Sequence, residues 1–454
     1  MNFIDEDYLL ESDVSRRLYA EIESVPVLDP HSHVNLKQVV ENEAWSDIWE
    51  VEGAADHYVW SLMRKRGIPE EKITGNATNR EKWQALAKVF PSFAGNPTYE
   101  WFHLDLKRRF NISEVISADT AESIWTEAKA KLQDPAMRPR ALLSEMNVES
   151  ISSTDDPASQ LKHHRTLTDE LDSVTVRPTW RPDRAMKIGA GDWIEYVETL
   201  GEATASDISN LNGLLDALAT SHKYFDRHGC LASDHGLREM STESVSRREI
   251  QAIYDSAYAG KSLSEDDIRK FKAFLLDRVG EWNSERGWVT QLHIGAVRNY
   301  RESLYEAMGP DSGGDVSTQS IDVTENLKHF INRFDGDFDI VLYTVDPTHF
   351  PSIATIARAF PNVSIGAAWW FNDSPYGIED QLEYVGSVDL LSNYGGMVSD
   401  SRKLISFGSR FEMFRRSLAN TVGKMVMKGQ VPYDVAEDLV RQVAYDRPKE
   451  LWGF

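Results

Sequence analysis

Short hydrophobic runs alternate with longer amphipathic stretches along most of this chain. A loosely periodic apolar face over residues 1–24 predicts a helix, and the β-branched run 25–29 that follows it predicts a buried strand. From residue 146 onward the alternation repeats, with strand-like runs at 147–153, 173–178, 229–233, 288–293, 338–344, 363–369 and 390–399. Strands that alternate with helices predict an α/β fold with a parallel sheet, and eight such units predict a (β/α)8 TIM-type barrel. An open doubly wound sheet is the second architecture, although no G-x-G-x-x-G phosphate fingerprint supports it.

Residues 36–145 interrupt this alternation directly after the first strand. Helix formers and aromatic residues dominate the segment, notably at 83–90 and 121–132, and prolines separate its helical stretches. The pattern predicts a single barrel over 1–454 in which 36–145 is an inserted helical subdomain. Further along the chain, 309–314 is predicted to be a surface loop.

Composition narrows the classes of function. The formal net charge of −23 argues against nucleic-acid binding, which needs basic surfaces. No apolar run approaches the roughly 20 residues of a membrane span, and the acidic start of the chain lacks the order of a signal peptide. A single cysteine, Cys230, fits a reducing compartment. We therefore expect a soluble, cytoplasmic protein; its acidity suits either a salt-rich cytoplasm or an ordinary acidic enzyme, and homo-oligomerisation stays open.

Two histidines directly after the first strand are the strongest chemical signal. His31 and His33 are spaced i, i+2, so in an extended chain both imidazoles point to the same side and can share a metal ion. Asp400, after the last run, offers an anionic third ligand. Two imidazoles and one carboxylate suit one divalent ion such as zinc. His293 after the fifth run could serve a second ion, but the sixth run ends without a histidine, so one metal is favoured.

Several longer motifs narrow the interpretation. The histidine pair, His293 and Asp400 resemble the amidohydrolase superfamily, and six motifs spread in order over the chain resemble the uronate isomerase family within it. These are DHYVW at 56–60 with Met63-Arg64, STDDP at 153–157, RPTWRPD at 177–183, QLHIGAVRN at 291–299, WWFND at 369–373 and GMVSDSR at 396–402.

The resemblance implies that D-glucuronate and D-fructuronate, and D-galacturonate and D-tagaturonate, are interconverted by proton transfer through an enediol, without an organic cofactor. His31, His33 and Asp400 would hold the metal. Tyr58 would be an acid/base group whose anionic form is stabilised by a nearby arginine, and Arg402 would stabilise the enediolate. The remaining substrate contacts are expected from Arg181 as a bidentate carboxylate clamp, His293, Trp370 and Arg298.

Alternatives remain beside these roles. A metal-dependent hydrolase or decarboxylase would use the same barrel, and a non-catalytic sugar-acid binding protein would keep a degenerate site. Trp369 and Trp370 alternate in direction, so one should be in the core and the other at the cavity. His163 and His164 are expected at the surface.

Overall fold

The computed structural model describes residues 3–238 and 245–454. Nine strands are formed: β1 Val27–Asp29, β2 Val148–Asp155, β3 Thr175–Trp180, β4 Ala232–Leu237, β5 Val289–Ile294, β6 Ala296–Val297, β7 Val316–Ser317, β8 Ile340–Thr344 and β9 Val363–Ile365. Seven of them make one curled parallel sheet in the order β1-β2-β3-β4-β5-β8-β9, and β6 and β7 make a separate antiparallel pair.

Helices fill the remaining chain between and after the strands. They are α1 Asp13–Ile22, α2 Leu36–Glu41, α3 Ile48–Glu52, α4 His57–Lys65, α5 Asn79–Val89, α6 Pro97–Arg109, α7 Ala121–Lys131, α8 Pro139–Glu145, α9 Lys162–Glu170, α10 Asp183–Met186, α11 Trp193–Thr204, α12 Leu211–Asp226, α13 Arg247–Tyr258, α14 Glu265–Arg286, α15 Glu302–Met308, α16 Val323–Arg333, α17 Phe350–Ala359, α18 Pro375–Val388, α19 Ser406–Met427, α20 Tyr433–Arg441 and α21 Arg447–Trp452. Short 3-10 turns occupy Glu70–Lys72, Phe90–Phe93, Pro135–Met137, Pro347–His349, Trp370–Asn372 and Leu391–Asn393, and a π turn occupies Gln442–Asp446.

The order of the strands decides between the two predicted architectures. Each strand of the large sheet pairs with its neighbour along the chain, if the small β6–β7 pair is set aside. A doubly wound sheet needs a point at which the strand order reverses, and this sheet has none. The doubly wound alternative is therefore wrong, and the alternation of strands and helices is confirmed for the first seven predicted strands.

The predicted eighth strand, 390–399, is wrong. Leu391–Asn393 forms a 3-10 turn, and 394–400 joins no strand ladder. Gly396 has φ +90°, where a side chain would meet Pro448, and Asp400 has φ +46°, so the backbone leaves the extended region twice. Backbone hydrogen bonds still join the segment to both edges of the sheet, from Gly395 N to Ile365 O at 2.7 Å and from Asp400 N to His31 O at 3.1 Å.

The seventh predicted strand is shorter than 363–369. Pairing ends at Ile365, and the Tyr343 ring lies where a side chain on Gly366 would stand. After it, Trp370 has φ +55° and begins a 3-10 turn. Beyond Ile365 the backbone turns away from the strand direction. This turn brings Trp369 and Trp370 toward the ends of the neighbouring strands.

Seven helices, α2 to α8, lie between β1 and β2. Their buried faces are rich in aromatic residues, and a hydrogen bond from the Trp83 indole to Ala121 O ties α5 to α7. Asp56 caps the N-terminus of α4 by accepting from Tyr58 N at 2.9 Å. Helix α4 thereby begins with His57 and Tyr58 at a fixed position.

Candidate active site

The carboxyl ends of β1 and of the 394–401 segment bring three metal-ligating side chains together. His31 Nε2 and His33 Nε2 each lie 3.3 Å from Asp400 Oδ1. His31 is buried, whereas the His33 side chain is 31% exposed and so faces the opening. Two imidazole nitrogens and one carboxylate oxygen that converge on one point fit a borderline divalent cation, with coordination positions left for substrate. The sequence prediction for His31, His33 and Asp400 therefore describes a geometrically coherent donor set.

The surroundings of Asp400 orient it for this task. The Trp369 indole Nε1 donates to Asp400 Oδ2 at 3.0 Å, which leaves Oδ1 directed at the histidines. Burial alone would raise the pKa of Asp400, but hydrogen bonds and charge from His31 and His33 outweigh it and hold that pKa well below its usual value. Asp400 is thus ionised, as a metal ligand must be.

A second buried group lies behind His31. Asp234 Oδ1 is 2.7 Å from His293 Nδ1, and Asp234 Oδ2 lies 3.0 Å from Arg181 Nη1 and 3.7 Å from His31 Nδ1. Burial would raise the pKa of Asp234, but Arg181, His293 and His31 together hold it well below its usual value. The charged carboxylate fixes the orientation of both imidazoles from behind and turns His31 Nε2 toward Asp400.

Sequence reasoning gave Asp234 no role. The feature that could have identified Asp234 is its position directly after the fourth predicted strand, 229–233, next to the strand that carries His293. In the structure β4 runs to Leu237, so Asp234 lies inside the strand and paired with Gln291, close to the His293 imidazole on β5.

Arg181 differs from its prediction in one respect. Its Nε lies 3.0 Å from Asp183 Oδ2 and its Nη1 is paired with Asp234, so two of its three nitrogens already bind carboxylates. In the described residues these two contacts leave Nη2 without a carboxylate partner, so the predicted clamp on a substrate carboxylate would rely mainly on that nitrogen.

Tyr58 is buried at the start of α4, and no protein partner in the described residues binds its hydroxyl. The predicted arginine is present as Arg410, whose guanidinium lies 5.4 Å from the Tyr58 ring. Burial, with the charge of Asp400, raises the Tyr58 pKa well above 10 in spite of Arg410. Arg410 thus stabilises the anionic form of Tyr58, as predicted, but burial and the charge of Asp400 outweigh it and favour the phenol.

His57 is a candidate that the sequence prediction passed over, although it adjoins Tyr58. Its ring lies 4.7 Å from that of Tyr58 and 6.0 Å from that of Trp370. Burial and the charge of Arg402 lower the His57 pKa to about 4. The imidazole is therefore neutral near pH 7 and can both accept and donate a hydrogen bond.

Arg402 and Arg298 lie on the more exposed side of the site. The Arg298 guanidinium lies 4.7 Å from the centre of the Trp370 ring and pairs with Asp315 at 2.9 Å. Arg402 Nη2 has one carboxylate near it, Asp311 Oδ1 at 3.6 Å. Trp369 and Trp370 are both buried and both contact site residues, Trp369 through Asp400 and Trp370 through Arg298, so the expectation that one of them lies in the core away from the site is wrong.

A cleft of about 500 Å³ opens beside His33, between the end of β2 and the start of α9. His164 lies in its wall and is buried, with its Nε2 2.7 Å from Ser153 Oγ, so the surface prediction for His164 is wrong. Ser153 Oγ also donates to Asp155 Oδ2 at 2.6 Å, and burial raises the Asp155 pKa to about 6. The cleft gives small molecules access to the side of the site on which His33 is exposed.

No helix in 3–238 or 245–454 combines the length and the apolar character that a membrane crossing requires. The chain's similarity to known proteins extends from end to end. A family model described as glucuronate isomerase matches residues 1–452. A uronate isomerase of Thermotoga sp. strain RQ2 is 57% identical over 450 residues, which cover 99% of each chain.

Two solved structures agree with this match. The crystal structure of uronate isomerase from Thermotoga maritima superposes with a TM-score of 0.98 at 56% identity and covers 100% of both chains. That of glucuronate isomerase from Caulobacter crescentus has a TM-score of 0.95 at 26% identity, covering 99% of this chain and 97% of that one. With a family match over nearly its whole length and an intact set of polar residues at the strand ends, this chain belongs to the glucuronate isomerase family and is a uronate isomerase.

Proposed function

We propose that this enzyme interconverts D-glucuronate and D-fructuronate, and D-galacturonate and D-tagaturonate, by moving a proton between C2 and C1 of the open-chain sugar. One observation carries the proposal: His31, His33 and Asp400, which could hold a metal, converge at the strand ends, and the charge of Asp400 acts on the buried phenol of Tyr58. The charge of Asp400 affects the pKa of both His57 and Tyr58, which ties α4 to the metal centre. An enediol mechanism needs an acid/base group that takes the proton from C2 and returns it at C1, a group that stabilises negative charge and a rigid hold on the sugar.

His31, His33 and Asp400 would hold one divalent metal, and we propose zinc because two imidazoles and a carboxylate suit that ion. When bound, the metal would supply a Lewis acid that polarises an oxygen of the sugar acid. A hydrogen bond from Trp369 and the backing of His31 by Asp234 would keep the three ligands in place.

The protein's own groups divide the proton chemistry. Tyr58, with its pKa well above 10, would act as a proton donor to a substrate oxygen, because it enters the reaction as a phenol. Arg402 would stabilise the negative charge that develops when C2 loses its proton and the enediolate forms. His293, Trp370, Arg298 and the free Nη2 of Arg181 would line the sugar site.

The architecture supports the same function at a finer level. We propose that 394–401 occupies the position of the eighth strand in a (β/α)8 barrel. Its backbone hydrogen bonds reach Ile365 on β9 and His31 just beyond β1. Residues 36–145 would be an inserted helical subdomain whose helix α4 carries the acid group to the mouth of the barrel.

The direct test is a proton NMR assay of the purified, metal-loaded protein with D-glucuronate in deuterated water. We expect ketose signals to appear at the expense of aldose signals, with deuterium at C1 to the extent that the transferred proton exchanges with solvent. The Asp400→Asn variant, which loses the anionic ligand, serves as the negative control. Absence of turnover with both glucuronate and galacturonate would contradict the proposal.

Replacement of Tyr58 by Phe is expected to lower kcat by about 10²- to 10⁴-fold, the usual contribution of general acid–base catalysis. Because the Tyr58 pKa lies well above 10, the acid stays protonated as the pH rises, and the wild-type rate should show no fall from tyrosine ionisation below pH 10. A pH–rate profile of kcat measures both effects. A profile that falls near pH 8 and loses this fall in Tyr58→Phe would contradict the assignment of a protonated donor.

A further inference from the structure

The loop 309–315 lies directly on the active-site helix α4. Arg64 donates a hydrogen bond to the Ser312 carbonyl. Gly313 has φ +89° and approaches so closely that a side chain there would stand 3.0 Å from the His57 carbonyl oxygen. The segment predicted as a plain surface loop thus packs against the first residue of the helix that carries Tyr58.

Asp311 in this loop faces the two arginines of the site. Its Oδ1 lies 3.6 Å from Arg402 Nη2 and 3.7 Å from Arg298 Nη1. Its backbone has φ +57°, an uncommon conformation for a residue other than glycine, and this turn directs the carboxylate inward. Neither contact is a short hydrogen bond, and the Asp311 side chain is 56% exposed, so another anion can displace it at small cost.

Asp315, four residues after Asp311, has a buried side chain and makes shorter contacts. Its side chain is only 5% exposed, with Oδ2 2.9 Å from Arg298 Nη1 and Oδ1 2.7 Å from the Asn299 backbone N. Those contacts fix the base of the loop. Among the described residues Asp311 makes no comparable bond, and its carboxylate contacts are those with the positive charges of Arg298 and Arg402.

We propose that Asp311 is an internal competitor of the substrate. In the free enzyme its carboxylate compensates the two arginines that would face the negative charge of the bound sugar acid, and substrate must displace it to reach them. The inference deepens the proposed function and rests on it, because the competing anion is the uronate. Asp311 would thus weaken the binding of the substrate in its ground state, and it lies outside the six motifs found in the sequence.

The test is the affinity of the Asp311→Asn variant for L-gulonate, which is glucuronate with its aldehyde reduced to an alcohol, so that it cannot isomerise. Calorimetric titration of metal-loaded protein should give a Kd about three- to tenfold lower than that of the wild type, the range that one or two half-exposed ion pairs supply. Asp311→Ala should shift Kd in the same direction. The matched control is Asp335→Asn, which removes one exposed carboxylate from the turn that follows α16 and should leave Kd unchanged.

Direction makes the result decisive, because a damaged site binds ligand more weakly and not more tightly. An unchanged or raised Kd in Asp311→Asn would overturn the inference, as would an equal fall in Asp335→Asn, which would assign the effect to net charge. Turnover of D-glucuronate by the wild-type enzyme, measured beside the titrations, distinguishes failure of this inference from failure of the proposed function. Turnover without tighter binding in the variant overturns the role of Asp311 alone, whereas absence of both turnover and L-gulonate binding overturns the proposed function as well.

Discussion

Replacement of Arg402 by Met is expected to lower kcat by about 10²- to 10³-fold, the cost of removing one group that stabilises developing negative charge. Arg402 follows Asp400 by two residues, and its charge lowers the His57 pKa, so the guanidinium lies close to the histidine next to Tyr58. Methionine preserves most of the length of the side chain and removes only the charge and its hydrogen bonds. Steady-state rates with D-glucuronate measure the effect.

The Arg402→Met protein should fold and bind metal normally. Asp311, the one carboxylate near Arg402 in the described residues, is half-exposed, so the substitution strands no buried charge. Metal content by elemental analysis and the near-ultraviolet circular dichroism spectrum should match the wild type. Arg66→Met, at an exposed position after α4, is the matched control and should retain full activity. Turnover near the wild-type level in Arg402→Met would contradict its role.

Hydrophobic patterning was enough to predict the sheet because strands such as β5 and β8 are buried along their whole length and are therefore rich in apolar residues. It failed at 390–399, where Gly395 and Gly396 give the backbone a shape that hydrophobicity does not encode. That segment reaches β1 by other means, since Ser399 donates its backbone N and its hydroxyl to the buried carboxylate of Asp29.

The metal ligands could be predicted because His31 and His33 have a local spacing and Asp400 ends the last hydrophobic run. The orienting groups could not, since each depends on a partner distant in sequence. Asp234 binds His293, 59 residues away, and Arg410 pairs with Asp373 at 2.7 Å across 37 residues. The protonation state of Tyr58 was also beyond the sequence, because burial outweighs the arginine beside it.

The buried Lys403 links the segment that carries Asp400 and Arg402 to helix α4. Its Nζ lies 2.8 Å from Glu52 Oε2 and 3.3 Å from Asp56 Oδ2, and its side chain is 2% exposed. Burial would lower the pKa of Lys403, but Glu52, Asp56 and the nearby Asp105 raise it above its usual value. Burial, reinforced by Glu52, raises the Asp105 pKa well above its usual value and favours the neutral form of this third carboxyl. Because Asp56 caps α4, the ion pair fixes the start of the helix that carries Tyr58 relative to Asp400 and Arg402.

Replacement of Lys403 by Met is therefore expected to destabilise the protein by about 3–5 kcal/mol, since it leaves Glu52 and Asp56 buried without their cation. The midpoint of guanidinium-induced unfolding measures the loss, and Lys428→Met, at an exposed position after α19, should leave it unchanged. Adding Glu52→Gln to Lys403→Met should recover part of the stability, because the double variant buries one uncompensated charge fewer. Activity should fall as well, because α4 loses an anchor. A Lys403→Met protein as stable as the wild type would mean that the buried carboxyls are neutral. It would also mean that Lys403 does not hold the segment with Asp400 and Arg402 against α4.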